Sequence, residues 1–521
     1  MAEEMDMDIN QETLELIKSS LQKTGTTAGI STTTGLNFYY LEQVAKNIYP
    51  VFYPVMATMQ RVNPMFNGQR VGGTGVNWKA ITAINSGGYP ALSEGNRNAF
   101  MSITEQDYYA PFKWMGYDGK TTFQAQMTGL GFDDNIGLTQ LSLLNGLLND
   151  EERMILFGNS GPSSKGGNNG FALGTCPTPT ATLATGGSIP ASQYVSAYCV
   201  ALTCWGATQA STTGVQTPFT RNNADGSTDV INGGTSAVSA GSNIVETTGT
   251  TLSVTFAVTP VLGAVAYAWY VCSQATSGQS AATAYFYSTT SVSTVTVTSL
   301  PSTSNQNAAA TGLATDASYN NLDFDGLLTW TFNYAGSSQP SYVKDLAGAQ
   351  LTANGDGTIA EFETLLDFLW QNYKITPDAI YCGGNVIDAV TKAILTGGGS
   401  QNAQRIFFTM DQAGKVSGGT KVAEYRSKYS NKPSAKSLPV SVHPWLPGGT
   451  IFFDLVNNPY PAAGNSIPAV RRVVSLEDHF SIKWPYVKLA HELGVYCFET
   501  IENYIPFGFG VLTGVGPSTT A

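Results

Sequence analysis

Charged side chains are scarce in this chain of 521 residues. Asp, Glu, Lys and Arg together make up 12% of it, whereas about 25% is usual for globular proteins. The net charge is −11 and the Lys and Arg residues are not clustered. Tight DNA binding is therefore disfavoured, because neutralising phosphates requires grouped cations. We expect a surface covered mainly by Ser, Thr, Asn, Gln and Gly.

Signals for export, for membrane insertion and for metal-binding cysteines are also missing from the sequence. Residues 1–8 are acidic and lack the basic and apolar regions of a signal peptide. The longest mostly apolar stretch, residues 261–272, is too short to span a bilayer. The six cysteines contain no C-x-x-C pair, which argues against a zinc ribbon or a redox dithiol. We therefore expect a protein of a reducing cytoplasm.

Residues suited to catalysis are few. The three histidines are His443, His479 and His491, and the pair His491-Glu492 lacks the second histidine of a zinc-protease helix because Val495 stands there. No G-x-S-x-G nucleophile motif occurs. Cys382 lies in an apolar stretch and is predicted to be a buried hydrophobic residue. We expect no catalytic, cofactor-binding or metal-binding residues, and we expect that the protein is not an enzyme.

One segment partly matches a calcium-binding loop. Residues 352–363 place Asn354, Asp356 and Glu363 at ligand positions of an EF-hand, but Thr352 occupies the first position, which needs a carboxylate. Thr358 and Glu361 also fit a capping box that opens a helix. A turn that leads into a capped helix is therefore favoured over a calcium site.

The first third of the chain combines helix and strand patterns. Residues 11–22 predict a short amphipathic helix, and residues 66–125 predict a long two-stranded ribbon with an aromatic return arm. A ribbon of two strands is only marginally stable in water and must pack on something else. Residues 133–157 predict a long helix that Asp133 or Asp134 caps and that ends at Gly158.

The composition changes sharply after residue 170. Between residues 171 and 315 the only charged side chains are Arg221, Asp225, Asp229 and Glu246, and short β-rich runs alternate with turns. This pattern predicts an all-β sandwich inserted into the chain. From residue 316 onward helix and strand patterns alternate again, which indicates an α+β domain.

This order of elements resembles the Hong Kong 97-type fold of tailed-bacteriophage major capsid proteins. The resemblance implies an α+β fold with five segments. They are an N-terminal arm (1–65), an extended β-ribbon loop (66–125), the spine helix of a peripheral domain (126–170), an inserted immunoglobulin-like β-sandwich (171–315), and the remainder of the peripheral domain with the axial domain (316–521).

The resemblance implies a structural protein that assembles into pentamers and hexamers of an icosahedral shell enclosing phage double-stranded DNA. It implies assembly in the host bacterial cytoplasm, portal, scaffolding and decoration proteins as partners, non-specific contact with packaged DNA, and neither membrane partners nor cofactors. The ribbon is poor in charge, so its few charged residues and one tryptophan are candidate intersubunit contacts: Arg61, Arg70, Trp78, Lys79, Glu94 and Arg97.

Two other functions fit parts of the sequence. A surface adhesin or carbohydrate-binding protein is suggested by aromatic residues in the Ser/Thr-rich region, namely Tyr267, Trp269, Tyr270, Tyr285 and Tyr287. The missing signal peptide argues against it, and alternating aromatic residues are typical of a sandwich core. An encapsulin-like compartment shell of the same fold is the second alternative, although an inserted β domain is less expected there.

Overall fold

A computed structural model describes most of the chain after residue 50. The described residues are 51–63, 65–66, 69–70, 73–85, 91–98, 100, 102–129, 134–162, 170–223, 225–354, 357–396, 409–410, 416–417, 422–430, 436–460, 467–475, 478–486 and 488–517. The helix predicted at residues 11–22, and most of the arm predicted at residues 1–65, lie outside them.

The longest described helix is the one that the sequence predicted. Asp134 caps it by accepting hydrogen bonds from the Ile136 and Gly137 amides at 3.1 Å, and Gly158 follows its last residue. Within the described residues, no helix is long and apolar enough to cross a membrane. The helices are α1 Pro54–Thr58, α2 Phe123–Gly129, α3 Asn135–Phe157, α4 Cys204–Gln209, α5 Leu327–Tyr334, α6 Ala360–Tyr373 and α7 Ile387–Thr396.

Strands outnumber helices, as expected for a chain rich in Thr, Val and aromatic residues. The first group is β1 Gln60–Val62, β2 Met65–Phe66, β3 Gln69–Arg70, β4 Gly75–Asn85, β5 Ser102–Pro111 and β6 Lys113–Thr122. The second is β7 Thr180–Ala184, β8 Tyr194–Leu202, β9 Phe219–Asn222, β10 Thr228–Ile231, β11 Val245–Glu246, β12 Ser253–Ala257, β13 Ala266–Gln274, β14 Tyr285–Thr290 and β15 Thr294–Val297. The third is β16 Tyr342–Asp345, β17 Ala379–Cys382, β18 Thr409–Met410, β19 Val416–Ser417, β20 Glu424–Ser427, β21 Lys436–Val442, β22 Ile451–Asp454, β23 Val470–Val474, β24 Phe480–Lys483, β25 Ala490–Asn503 and β26 Gly510–Thr513.

A five-stranded sheet supports the long helix α3. Strand β25 is its centre, pairing with β6 on one side and with β23 and β24 on the other, while β1 pairs with β23. Leu147 and Ile155 of α3 share one core with Met115, Val495 and Cys497 of the sheet. We call this side of the sheet the inner face and the opposite side the outer face.

A six-stranded mixed sheet forms the second α+β layer. Its strand order is β16-β26-β22-β17-β21-β20, and helices α6 and α7 pack against it through Phe362, Leu366 and Val390. The alternation of helices and strands predicted from residue 316 onward is therefore confirmed. The α+β class of the chain is confirmed as well.

The predicted capping box at Thr358 and Glu361 is wrong. Helix α6 begins at Ala360, its N-cap residue is Ile359, and no side chain caps it. The Glu361 carboxylate instead accepts a hydrogen bond from the Thr352 amide at 2.9 Å, and the Asn354 side-chain amide donates to Thr358 Oγ1 at 3.0 Å. The preceding turn therefore occupies the groups that the capping box needed.

The Ser/Thr-rich segment forms a β-sandwich, as its pattern predicted. One sheet has the order β11-β8-β13-β14 and the other the order β15-β12-β7. Their facing side chains form a single core that includes Cys199, Phe256, Trp269 and Val297. The hairpin of β9 and β10 is separate from both sheets. The immunoglobulin-like assignment of this sandwich stays a prediction.

The predicted ribbon is shorter than the sequence suggested. Strands β4 and β5 pair antiparallel from Gly75 and Pro111 outward, and we call them the hairpin. The aromatic return arm does not continue it, because β6 pairs with β25 over ten residues from Lys113 to Thr122. The alternation of aromatic residues in β6 reflects the two faces of the five-stranded sheet.

The base of the hairpin is packed on its own chain. Trp78 is 6% exposed, its ring stacks on Tyr108 at 5.6 Å, and its indole N–H donates to the Asn503 carbonyl at 3.2 Å. Trp330 and Tyr334 of α5 complete this cluster. Trp78 is therefore an internal anchor, and the prediction that it is an intersubunit contact does not agree with its burial.

Replacing Trp78 with Ala should loosen the hairpin base. The loss of a buried tryptophan costs about 3–5 kcal/mol, so we expect a clear fall in the melting temperature of the purified chain. Phe100→Ala is the matched control, because Phe100 is fully exposed and its removal should change the melting temperature little. Equal melting temperatures for the Trp78 variant and the parent chain would show that the hairpin is not anchored there.

Candidate functional site

The predicted contact residues fall into two groups. Arg61 forms an ion pair with Asp478 within its own chain. Lys79 lies 3.6 Å from Asp107 and 3.9 Å from Glu105, across the hairpin. Both of these side chains stay largely exposed, and such surface pairs contribute little stability. Arg61 and Lys79 therefore remain available to a partner.

Arg70 precedes the hairpin on the side of its base, whereas Glu94 and Arg97 lie between its two strands, at the far end. The backbone of Arg70 pairs with Met65 in the short β2–β3 hairpin, and Glu94 and Arg97 are exposed. The structure thus brings together no compact site from the six predicted residues. Trp78 is buried at the base of the hairpin, whereas the five charged residues are spread over residues 61–97.

The distal half of the hairpin exposes apolar side chains. Residues 102–107 of β5 are all exposed, whereas Tyr108 and Ala110 are buried. Ile81 and Ile103 are more than half exposed, and Phe100 near the tip is fully exposed. Exposing such residues to water does not stabilise an isolated two-stranded element. The distal hairpin therefore presents an unpartnered apolar surface.

A row of aromatic side chains crosses the outer face of the five-stranded sheet. The Trp114 ring stacks on Phe498 at 4.3 Å and meets Phe480 edge-on at 6.1 Å. Tyr496 continues the row at 6.0 Å from Phe480, and Trp484 follows at 6.4 Å. Trp114 is 58% exposed and Trp484 is 42% exposed. We call these five residues the aromatic row.

Two glycines keep the aromatic row flat. Gly116 and Gly494 lie on neighbouring strands, and a Cβ atom at either position would come within 2.1–2.5 Å of the Tyr496 ring or of Asp118. The Tyr496 ring therefore lies directly over the backbone of both strands. The Tyr496 hydroxyl and the Trp484 indole N–H both donate to Asp118 Oδ1. These contacts fix the orientation of two exposed aromatic side chains.

A cluster of ionisable side chains is buried on the inner face. We define the charge cluster as Glu151, Arg472, Asp478, His479, Cys497 and Glu499. The Arg472 guanidinium contacts Glu151, donates to Asp478 Oδ1 at 2.8 Å, and lies 3.2 Å from Glu499. His479 places Nε2 at 2.5 Å from Glu151 and Nδ1 at 3.1 Å from Asp478. The cluster joins α3, β23, β25 and the turn that precedes β24.

The surroundings of His479 favour its charged form. Burial alone would lower the pKa of this imidazole, but hydrogen bonds to Asp478 and Glu151 outweigh burial and raise the pKa to about 9. Burial would raise the pKa of Asp478, but His479, Arg472 and Arg61 hold it well below its usual range. Burial and the neighbouring Glu151 raise the pKa of Glu499. The cluster therefore contains a positively charged imidazolium at His479 and, at Glu499, a carboxyl group that binds a proton more readily than an ordinary glutamate.

Three side chains of the cluster also have the donor types of a metal site. Atoms of Glu151, His479 and Cys497 lie within 4.8 Å of one another. The Arg472 guanidinium already contacts Glu151 and would repel a metal cation at this position. The arrangement is therefore better described as a buried ion-pair network that stabilises the junction of four elements.

The adjacent Glu152 organises a second set of contacts. Its two carboxylate oxygens accept hydrogen bonds from the Val55 and Met56 amides, both at 2.8 Å, at the start of α1. His443 Nδ1 accepts from the Trp445 amide at 3.2 Å, so the ring hydrogen lies on Nε2, which donates to Glu152 at 2.9 Å. Glu152 thereby connects α1 and the segment after β21 to the end of α3.

The remaining candidates for chemistry have structural roles. His491 lies in strand β25, and its Nε2 contacts Gln126 Oε1 at 2.8 Å. Cys382 is buried in β17, as predicted. A calcium site at residues 352–363 is disfavoured because the Glu363 carboxylate has other partners. It accepts a hydrogen bond from the Tyr425 hydroxyl at 2.6 Å and pairs with Lys428 at 2.7 Å. Residues 355–356 of that loop lie outside the described residues.

The sequence analysis did not identify the charge cluster. Glu151 and Glu152 occur in a run of charged residues near the end of α3, and charged residues are usually exposed to solvent. Their spacing relative to the apolar stripe of α3 gave one signal, because Leu147 and Ile155, four residues before and after Glu151, are buried. Their side-chain partners His443, Arg472 and His479 are more than 290 residues away in sequence, so no local pattern could have paired them.

No family model and no curated protein matches this sequence. Solved structures do resemble it, and they include the capsid asymmetric unit of cyanophage A-1(L). That chain is 10% identical, with 93% of this chain and 98% of the other covered and a TM-score of 0.41. The capsid of Myoviridae phage XM1 is 9% identical over 94% of this chain and 100% of the other, with a TM-score of 0.37.

A bacterial shell protein is also among the similar structures. The SrpI encapsulin of Synechococcus elongatus PCC 7942 is 13% identical, with 38% of this chain and 59% of the encapsulin covered and a TM-score of 0.23. The superpositions are loose at such scores, so they locate no functional residue.

Stability should fall as the pH rises through the pKa of His479. Its folded-state pKa of about 9 exceeds the unfolded value of about 6.5. The contribution is therefore fully present below pH 6.5 and is lost as the pH rises through 9, with a size of at most about 3 kcal/mol because solvent screens this partly exposed group. Denaturant unfolding of the purified chain at several pH values between 6 and 10 would measure it.

His479→Asn should remove this pH dependence. Asn tolerates the positive φ of 48° at this position, so the variant changes the titrating group with little backbone strain. His491→Asn, outside the cluster, is the control and should keep the profile of the parent chain. Parallel profiles for the parent chain and His479→Asn would show that the cluster does not hold a charged imidazole.

Proposed function

We propose that this chain is the structural subunit of an icosahedral shell, the major capsid protein of a tailed bacteriophage. The observation that carries the proposal is the hairpin, whose base is anchored in its own chain by Trp78 while its distal half exposes apolar residues. A hairpin built in this way is suited to reach across a neighbouring copy. A single copy is then an incomplete unit.

The aromatic row offers a surface on which such a hairpin can lie. It is flat, partly exposed and held in place by Asp118 and by two glycines. Exposed aromatic residues are typical of the central part of protein interfaces. If each copy places its distal hairpin on the aromatic row of the next copy in one direction only, the contact is heterologous, and heterologous contacts that close form rings.

Rings of five and six copies that share such contacts can tile a closed shell, which supports pentamers and hexamers as the building blocks. The net charge of −11 suits a shell wall that encloses double-stranded DNA without binding it tightly. Portal, scaffolding and decoration proteins are the partners that a shell of this kind requires. Assembly would take place in the host bacterial cytoplasm, where the six cysteines stay reduced.

Both alternative functions have less support. A carbohydrate-binding surface would need exposed aromatic residues, but Tyr267, Trp269 and Tyr270 are buried in the sandwich, and Tyr285 and Tyr287 are half-buried. An enzyme would need available acids, bases or nucleophiles, and the described histidines are engaged in structural contacts. An encapsulin-like compartment shares the assembly principle, and co-purification of a cargo enzyme would favour it over a phage shell.

Charge reversal at the hairpin tip, alone or together with a reversal beside the hairpin base, should impair assembly. Arg97→Glu, alone and combined with Arg70→Glu, replaces cations of the ribbon with anions on a chain that is already acidic. We expect a several-fold lower particle yield in electron micrographs and in sedimentation, with an unchanged melting temperature of the unassembled chain. Lys344→Glu, at an exposed position of β16, is the control. An unchanged yield for the double variant would remove both arginines from the interface.

Removal of the exposed indoles should impair assembly in the same way. Trp114→Ser and Trp484→Ser eliminate the two most exposed members of the aromatic row, and the sheet core on the inner face is not altered. We expect soluble, folded subunits with a strongly reduced particle yield. Leu262→Ser, at an exposed apolar position of the sandwich, should assemble normally. If the tryptophan variants form particles at the level of the parent chain, the outer face is not a contact surface.

A further inference from the structure

A small cavity lies where the β-sandwich joins the rest of the chain. Its volume is about 50 Å³, which is room for roughly three or four water molecules. Three parts of the chain surround it: the end of α3, the sandwich near α4 and β10, and residues 318–323, which lead back from the sandwich towards α5. We call residues 318–323 the returning segment. The cavity is separate from the hairpin, the aromatic row and the charge cluster.

Large apolar side chains form most of the cavity wall. Met154 and Phe157 come from α3, Trp205 and Ile231 from the sandwich, and Tyr319 from the returning segment. The centroids of the Phe157 and Trp205 rings are 6.2 Å apart. All of these side chains except Phe157 are only half-buried, so the cavity is accessible from the solvent. A wall of this kind suits the methylene groups of a small ligand.

The carboxamides beside the cavity are engaged in building its wall. Asn159 Nδ2 donates to the Phe171 carbonyl at 2.9 Å and to the Ser318 carbonyl at 3.1 Å. Asn232 Nδ2 donates to the Tyr319 carbonyl at 2.6 Å. These contacts hold the sandwich and the returning segment against the end of α3, so the cavity is a preformed feature of the fold.

Asp323 places a negative charge at the cavity. Among the described residues that line it, Asp323 alone has a carboxylate side chain. Asn320 Nδ2 donates to its Oδ1 at 3.3 Å, and burial raises the pKa of the carboxyl group to about 7. The neighbouring cation Lys113 does not line the cavity, and its ammonium group donates to the Asn321 carbonyl. The charge of Asp323 is therefore available to a ligand in the cavity.

We propose that this cavity binds an alkylammonium ion. The charged group pairs with Asp323, and the methylenes lie against the apolar wall, as the stem of a partly buried lysine does. A carboxylate ligand is excluded because Asp323 repels it, and a neutral alkyl chain leaves Asp323 without a cation in the cavity. The bound ion contacts α3, the sandwich and the returning segment at once. The site lies within one chain and therefore does not depend on shell assembly.

Titration of the purified, unassembled full-length chain tests the proposal. The probe is n-butylammonium chloride, n-butanol is the uncharged control of the same shape, and sodium chloride controls for ionic strength. We expect saturable binding of one butylammonium per chain by calorimetry and a rise in the melting temperature, because a ligand of the folded state stabilises it. Neither control should bind or shift the melting temperature as strongly. Equal responses to butylammonium and n-butanol, or no saturable binding of butylammonium, would overturn the proposal.

The affinity for butylammonium should rise several-fold between pH 6 and pH 8. An alkylammonium group stays protonated in this range because its pKa is about 10.4, whereas Asp323 loses its proton near pH 7. Asp325 and Lys113 also act on this carboxyl group, with opposite effects on its pKa. The same affinity at both pH values would contradict a role for the Asp323 carboxylate.

Two sources supply an alkylammonium group, namely free amines of the cell and lysine side chains of another chain. Putrescine and N-acetyl-lysine amide, titrated side by side, distinguish them. Tighter binding of putrescine assigns the cavity to a free amine, and tighter binding of the lysine derivative assigns it to a lysine side chain. Failure of both compounds to bind would count against the site.

Two matched substitutions locate the bound ion. Asp323→Asn removes the charge at nearly constant size and should abolish the saturable binding and its pH dependence. Asp107→Asn is the control, because Asp107 lies on the hairpin with a largely exposed side chain, and it should bind butylammonium as the parent chain does. Binding that Asp323→Asn leaves unchanged would place the ion elsewhere and refute the proposal. If Asp323→Asn does not fold, the comparison of butylammonium with n-butanol on the parent chain still decides.

Discussion

Two adjacent carboxylates at the buried end of α3 connect most of the described parts of the chain. Neighbouring residues of an α-helix project about 100° apart, so Glu151 and Glu152 reach different partners. Glu151 meets Arg472 and His479 of the five-stranded sheet region, while Glu152 holds the first amides of α1 and His443 beside the six-stranded sheet. Breaking a buried pair of this kind leaves an uncompensated charge and costs several kcal/mol.

This arrangement separates rigid parts of the molecule from parts that are free to interact. The inner face of the five-stranded sheet is closed by α3 and by the charge cluster, so its strands are fixed in register. The outer face and the distal hairpin carry exposed aromatic and aliphatic side chains instead. Trp78 marks the boundary, because that residue and its neighbours Tyr108 and Trp330 hold only the base of the hairpin. A rigid base with a free end is what a contact across subunits requires.

Elements with a local signal could be predicted from the sequence. The helix at residues 135–157 has an apolar stripe, an Asp cap and a terminal glycine, and the sandwich has short β-rich runs between turns. The capping box at Thr358 failed because a turn from Thr352 to Thr358 took the same hydrogen bonds. The return arm was assigned to the ribbon because alternation shows that a strand exists but does not show which strand it pairs with.

Residues whose role depends on distant partners could not be predicted in this way. Trp78 was expected at an interface because it alternates with polar residues in a ribbon, yet Trp330 and Asn503 cover it, more than 250 residues later in the chain. Arg472 and Glu499 occur in strands whose alternation shows one inward face, but sequence alone cannot show that a charge on that face will meet Glu151. Both cases depend on tertiary proximity, which local patterns do not contain.

The scarcity of charge has a consequence for contacts between copies. Several of the few charged side chains are buried inside the chain, including Glu151, Glu152, Arg472, Glu499 and Glu502, so the surface is even poorer in charge than the composition indicates. Attraction between exposed charges weakens as salt is added, whereas burial of apolar surface does not. Contacts made by the distal hairpin and the aromatic row would therefore depend on shape and apolar burial, and they would persist across a wide range of ionic strength.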